Sequence, residues 1–352
     1  MSSFYRAIID AKSLGRVLVS DGAWGTFLYQ RGLEPGDCPE AWNLLRPHDV
    51  AAIARSYVEA GSDMILTNSF GGNPFRLAYF GEESRCFELN KAAAEISRSE
   101  ASQAKDSLVG AAQTELPNAQ VTSLGVKREV FVAGSMGPSG LMLAMGDVSE
   151  QALYEGFLLQ ADGLLAGGVQ GICVETMSDP IEAVCAMRAA RDAIRAVAAE
   201  KGWSADSLPP VFCTFTFAKT SGGEYRTMTG ASVEEAMTAA KNAGASVIGT
   251  NCGGGFTQMI EIVREIRSFD VETPILVHAN AGLPRYEDGK TVFPEGPEFM
   301  ASMLEELIAA GTDIVGGCCC TGPDHIRAFV QLLARTQKRA RDLSNVRGNA
   351  GE

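Results

Sequence analysis

Histidine is scarce: the 352 residues carry 3. A Ser/His/Asp triad and an H-E-x-x-H metal site both need histidine in set arrangements, and neither is present, nor is a P-loop. Basic charge is also short, with 30 Lys+Arg against 43 Asp+Glu and a net charge of -13. Nucleic acid and anionic membranes want basic patches, so this balance argues against both as main partners. No apolar run reaches the ~18 residues of a membrane span. The first ten residues lack the basic and apolar regions of a secretory signal, which predicts a cytoplasmic protein. Linkers rich in Pro, Gly or Ser are missing, so a single domain is expected. The 9 cysteines are odd in number and lie mostly in apolar stretches. That usage fits reduced thiols or metal ligands, not a disulfide framework.

What is present alternates. Short β-branched runs lie at 16–20, 63–67, 130–133, 171–174, 211–217, 246–250, 274–278 and 313–316. Helical patterns are read at 47–60, 149–166, 179–199, 232–243, 257–267, 298–310 and 323–334. Ser149 and Asp179 suit N-caps, and Gly61, Gly244 and Gly311 suit left-handed C-caps. Such alternation predicts an α/β fold, a parallel eight-stranded β/α (TIM) barrel, over residues 1–337. An open doubly wound sheet is the runner-up, but no G-x-G-x-x-G follows the first strand. Residues 106–127 read as a surface insertion, and 338–352 as a loose polar tail.

In such barrels the active site lies at the carboxyl ends of the strands. Those ends carry Asp21, Asn68, Glu175, Cys252, Asn280 and Cys318-Cys319-Cys320. Cys252 follows the sixth strand and the cysteine run follows the eighth, so their thiols can converge. Three thiolates suit tetrahedral Zn²⁺ with one position left open, which marks a catalytic site. Buried small apolar residues, or a redox switch, are the competing readings of the same thiols. Cys38, Cys86, Cys173, Cys185 and Cys213 read as structural. Glycines in Asp21-Gly22-Ala23-Trp24-Gly25-Thr26 allow close backbone approach, and its amides could hold a carboxylate. Glu175 could bind an ammonium group, so the two together fit an amino acid. His278 reads as a satisfied barrel residue, and His325 as support for the metal loop or a cap of the last helix.

These stretches resemble the homocysteine S-methyltransferase family. The resemblance rests on Asp21–Thr26, Pro39-Glu40 with Asn43, Leu66–Gly71, Gly134–Pro138, Val174-Glu175-Thr176, Asn251-Cys252, Gly316–Cys319 and Thr321–Ile326. It implies methyl transfer to homocysteine giving methionine, with Cys252, Cys318 and Cys319 as zinc ligands. Cys320 stands where the family often has Gly, which leaves open which two adjacent cysteines bind. By the same resemblance Asp21, Gly22 and Ala23 contact homocysteine, and Glu175 takes its amino group; Asn68 joins the substrate site. The stretch from Gly36 to Gly72 looks most like bacterial betaine–homocysteine methyltransferases. Asp37, Gly71 and Thr176 stand where the vertebrate betaine enzyme carries donor-site aromatics. A cage for a cationic donor must then use other rings, with Trp24, Trp42 and Tyr79 as candidates.

The expected partners are homocysteine and a small onium donor such as betaine, dimethylsulfoniopropionate or S-methylmethionine, in a chain that could form a homo-oligomer. Two alternatives stay open. One is the homocysteine-activating subunit of a corrinoid- and folate-dependent methionine synthase, fed by a corrinoid protein. The other is a zinc- or thiol-binding barrel without activity.

Overall fold

The computed structural model describes residues 1–111, 129–287 and 290–349. All eight expected strands are present: β1 Leu18–Val19, β2 Met64–Leu66, β3 Phe131–Met136, β4 Gly171–Met177, β5 Val211–Phe215, β6 Val247–Asn251, β7 Ile275–Ala279 and β8 Ile314–Gly317. Their side-by-side order is β1-β8-β7-β6-β5-β4-β3-β2, parallel throughout. A helix follows each strand in turn. With α1 kept for Ser3–Ser13, these are α2 Pro47–Ala60, α3 Cys86–Ala111, α4 Glu150–Ala166, α5 Pro180–Lys201, α6 Val233–Asn242, α7 Phe256–Phe269, α8 Pro297–Ala310 and α9 Pro323–Asn349. The architecture is the expected β/α barrel.

Local chemistry sets the helix ends. Ser149 accepts the Ala152 N–H, Asp179 accepts that of Ile181 ahead of Pro180, and Ser232 and Glu235 cap each other's backbone. Gly61 and Gly311 close α2 and α8 at φ of 110° and 114°, a backbone that L side chains rarely adopt.

Two apolar layers hold the barrel. Outside the strands, α4, α5 and α7 bury Phe157, Ala186, Ala190, Phe256 and Val263 against the sheet. Inside it, Met64, Leu66, Phe131, Ala133, Cys173, Phe212, Val247, Leu276 and Ile314 form a separate cluster with Phe4 and Ile8 of α1. The Phe4 ring stacks on Phe131, centroids 4.5 Å apart, and lies 5.4 Å from Phe212. Helix α1, which the periodicity reading passed over, therefore corks the amino end of the barrel. Ser2 caps it by accepting the Tyr5 N–H.

β1 and β2 share no regular ladder, and side chains close that seam. Asp63 donates its N–H to Val19 O at 2.6 Å and accepts the Val19 N–H on its carboxylate at 2.9 Å. Asp21 accepts the Leu66 N–H at 2.7 Å and Trp24 Nε1–H at 2.9 Å. Removing the Asp21 carboxylate takes the acceptor from three donors, the Leu66 amide, the Trp24 indole and the Ser20 hydroxyl, at about 1–3 kcal/mol for each one left unpaired. Asp21→Ala is expected to lower unfolding free energy by about 3 kcal/mol or more in urea titrations. A loss below about 1 kcal/mol would show that the seam closes without it.

Three expectations change. Helix α3 occupies 86–111, where no helix was expected, so residues 106–111 of the supposed insertion are helical. Its buried face is Cys86, Leu89, Asn90, Ala93, Ala94, Ser97 and Ala101, too small and polar to show as an apolar stripe. The rest of that segment, 112–127, lies outside the described residues. Residues 338–349, expected as a loose tail, continue α9. Lys, Arg, Ala and Leu there are good helix formers with no proline among them, and polarity alone does not select a coil.

Candidate active site and metal centre

Four cysteines gather at the carboxyl end of the barrel, and three converge. The Sγ atoms of Cys252, Cys318 and Cys319 all lie within 4.8 Å of one another. Cys320 is turned away, with its thiol 3.8 Å from Thr26 Oγ1 and its N–H donated to the same hydroxyl at 3.3 Å.

The strand between them is the template. β7 lies between β6 and β8, and its end holds both cysteine loops. His278 O accepts the Cys252 N–H at 3.0 Å, and Ala279 O accepts that of Cys318 at 2.7 Å. Asn280 Oδ1 accepts the Cys319 N–H at 3.1 Å. Three successive residues, the last two of β7 and the one that follows it, thus position three sulfurs carried by the loops after β6 and β8. Cys318 and Cys319 hydrogen-bond to Cys252, which pulls its thiol far below the usual range. The same contact pushes Cys319 up to about 11 and Cys318 higher still. The five cysteines expected to be structural are all buried.

Glu175, at the carboxyl end of β4, is buried and accepts the Ser135 hydroxyl. Burial is the largest cause that pushes it up to about 7; the Ser135 bond pulls it down, and the charges of Asp21 and Cys252 push it further up. Asp21 is fully buried and raised to about 6 by the same desolvation. Its carboxylate faces the seam described above. The Ala23 N–H donates to Thr321 O at 2.9 Å, so this amide is not free for a ligand carboxylate. Gly22 is held tightly: a Cβ there would sit 2.1 Å from Thr321 O. Asn68 Nδ2 donates to Pro39 O at 2.8 Å and Asn43 Oδ1 at 3.0 Å, which ties the 39–43 loop to β2.

Other assignments shift. His278 was expected to be satisfied, yet its buried Nε2 has no partner among the described residues. Burial lowers the ring to about 4, so it is neutral. His325 Nδ1 accepts the Gly322 N–H at 3.2 Å, which leaves Nε2 as the donor to Glu295 O at 3.0 Å. It braces the loop after the cysteines, as expected. Of the candidate cage rings, Trp42 is buried with Arg46 over its face at 4.1 Å, and Tyr79 has Arg76 at 5.7 Å. Both faces meet a cation of the chain itself. Trp24 remains, and Phe70, at the end of β2 and partly exposed, was missed although it stands in the Asn68–Gly71 stretch.

A family model described as homocysteine S-methyltransferase matches residues 18–333. The chain belongs to the homocysteine S-methyltransferase family. It is 32% identical to a protein named methionine synthase from Mycobacterium tuberculosis over 338 residues, 94% of this chain and 26% of that one. The Mycobacterium leprae protein of the same name is also 32% identical, over 91% of this chain and 24% of the relative. The chain thus spans about a quarter of the length of these relatives. The metallated homocysteine methyltransferase MmuM of Escherichia coli superposes with a TM-score of 0.64 at 22% identity, covering 89% of this chain and 95% of that one. At that identity the likeness speaks to the family's shared barrel. Among the described residues no helix is long and apolar enough to cross a membrane.

Proposed function

We propose that the protein forms methionine by moving a methyl group from a small onium compound to homocysteine held at a zinc site of Cys252, Cys318 and Cys319. The observation that carries this reading is the convergence of the three sulfurs within 4.8 Å. Tetrahedral zinc with Zn–S bonds of ~2.3 Å spaces its sulfurs ~3.8 Å apart, which this trio accommodates. Bound there, zinc would hold the substrate sulfur as a thiolate at neutral pH, although a free thiol has a pKa of ~8.5.

The protein's own residues do the rest. Asn280 and the β7 carbonyls orient the sulfur ligands. Glu175, steadied by Ser135, takes the ammonium group of homocysteine. The turn from Asp21 to Ala23 and Asn68 frame the rest of the amino acid. As the thiolate sulfur bonds to the methyl carbon, that carbon's bond to the donor nitrogen or sulfur breaks and the donor leaves as a tertiary amine or thioether, so opposite charges cancel in the transition state, which a site that excludes water favours. Zinc held there would let the thiol release its proton to solvent on binding, without a histidine base. Trp24 and Phe70 supply the ring faces left to a cationic donor.

A second reading has its own support. Met142, Met145, Met228, Leu283 and Tyr286 are exposed on the loops after β3, β5 and β7, around the barrel mouth. Together with the methionine synthase relatives they favour a barrel fed by a methylated corrinoid protein. A donor screen separates the two. Purified protein, zinc and homocysteine are incubated with glycine betaine, dimethylsulfoniopropionate, S-methylmethionine or methylcobalamin, and methionine is measured. Methionine from at least one onium donor without cobalamin is expected. Turnover only with methylcobalamin would select the corrinoid reading. Tight homocysteine binding with no transfer from any donor would leave a thiol-binding barrel.

A further inference from the structure

Three non-glycine residues around the site hold a positive φ, Cys320 at 61° among them, and the other two face each other across β5. Thr176, next to Glu175, has φ of 59°, and Cys252 has φ of 61°. For a β-branched residue such as threonine this conformation is a true outlier, and it persists only where the surroundings impose it. One side chain supplies much of that constraint. Asn251 Oδ1 accepts the Thr176 N–H at 2.8 Å, and Asn251 Nδ2 donates to Thr176 Oγ1 at 2.6 Å. The same Oδ1 accepts the Thr214 hydroxyl at 2.7 Å, and Thr216 Oγ1 donates to Asn251 O at 2.8 Å. Asn251 is fully buried.

The placement of this lock matters. β5 lies between β4 and β6, so no backbone ladder joins those two strands. Asn251 reaches past β5 and ties the residue after Glu175 to the residue before Cys252. One end of the lock carries the carboxylate for an ammonium group, and the other carries a sulfur ligand. Homocysteine has matching ends, an ammonium-bearing carbon and a thiol separated by two methylenes. We infer that the Asn251–Thr176 lock fixes the spacing between Glu175 and the three-cysteine site, and so selects homocysteine over cysteine, which is one methylene shorter.

This rests on the functional reading above. Asn251 and Thr176 are positioning residues and act through their neighbours. A lock that served stability alone would behave differently from a spacer when Thr176 becomes glycine. Glycine adopts φ near 60° without strain but has no hydroxyl for Asn251.

The test uses zinc-loaded wild type, Thr176→Gly and Thr176→Ser. Calorimetric Kd values are measured for homocysteine and cysteine, with kcat/KM for both, zinc content and Tm. In Thr176→Gly, zinc content is expected to hold and Tm to fall by no more than a few degrees, since Asn251 Nδ2 loses its buried acceptor. The preference for homocysteine should fall by about tenfold or more, the range in which one methylene counts. Thr176→Ser, which restores the hydroxyl, should recover the wild-type preference to within about twofold. An unchanged preference in Thr176→Gly would overturn the inference, as would loss of zinc in that variant, which would place the lock in the service of the metal ligand alone. Equal binding of homocysteine and cysteine by wild type would overturn it too. Wild type that binds no homocysteine would refute the functional reading and this inference together, an outcome distinct from wild type that turns over and a variant that keeps its selectivity.

Discussion

Cys319→Ala is expected to strip the protein of its metal and of its methyltransferase activity. Cys319 supplies one of three converging sulfurs, and among the described residues no other His, Cys, Asp or Glu completes the group. Changes merely adjacent to a metal ligand already cost 10–100-fold in affinity or activity. Loss of a ligand itself should therefore weaken zinc binding by at least about a hundredfold. Zinc per chain after dialysis against a mild chelator, with methionine formation in parallel, reads the effect. Cys320→Ala is the matched control. Its thiol faces Thr26, so that variant should keep both metal and turnover. A Cys319→Ala protein with zinc and activity intact would refute the ligand set.

Glu175→Gln should keep the metal and weaken homocysteine binding. Losing a buried charged partner of an ammonium group costs about 2–3 kcal/mol, or about 30- to 150-fold in KM. The sign of the pH effect follows from burial, which raises Glu175 to about 7. Only the ionised carboxylate holds the ammonium group, so affinity should rise as pH climbs through about 7 and level off above it. Methionine is the ligand to use, because it has no thiol proton to confuse the profile. Wild type should bind it more tightly at pH 8 than at pH 6, and Glu175→Gln should show no such rise. Identical profiles in the two proteins would reject the role of Glu175. Stability of the ligand-free protein runs the other way. Folded Asp21 and Glu175 hold their protons more tightly than the ordinary carboxyl values of 3.8 and 4.5. Their contribution is present at low pH and is lost as pH rises through about 6 to 7.

The barrel was legible because its strands are continuous apolar runs that end in polar residues, and its helices end in recognisable caps. Two of the longer helices escaped that reading, for different reasons. α3 buries alanine, serine and asparagine, so its inward face carries little contrast with its outward one. α1 lies before the first strand and meets the strand interiors through Phe4 and Ile8, a tertiary contact with no local signature. At the site, cysteines after alternate strands announced a meeting point. Sequence could not say which of three adjacent thiols would point away, because that depends on the turn geometry at Cys318–Thr321. It also overstated the Asp21–Ala23 turn as a set of free donors. The Ala23 amide is spent on Thr321 O, and the Asp21 side chain accepts the Leu66 N–H in the seam, both contacts between residues far apart in the chain. The Asn251–Thr176 lock escaped for the same reason, since its partners are 75 positions apart.

The cork that Phe4 and Ile8 place in the amino end has a kinetic consequence. A vessel stopped at its base has a single doorway, so nothing can be pushed through from behind. On the proposed reading, an amino acid seated below the donor is expected to arrive before it and to depart after the spent donor. Order of addition and release is thereby written into the shape of the container.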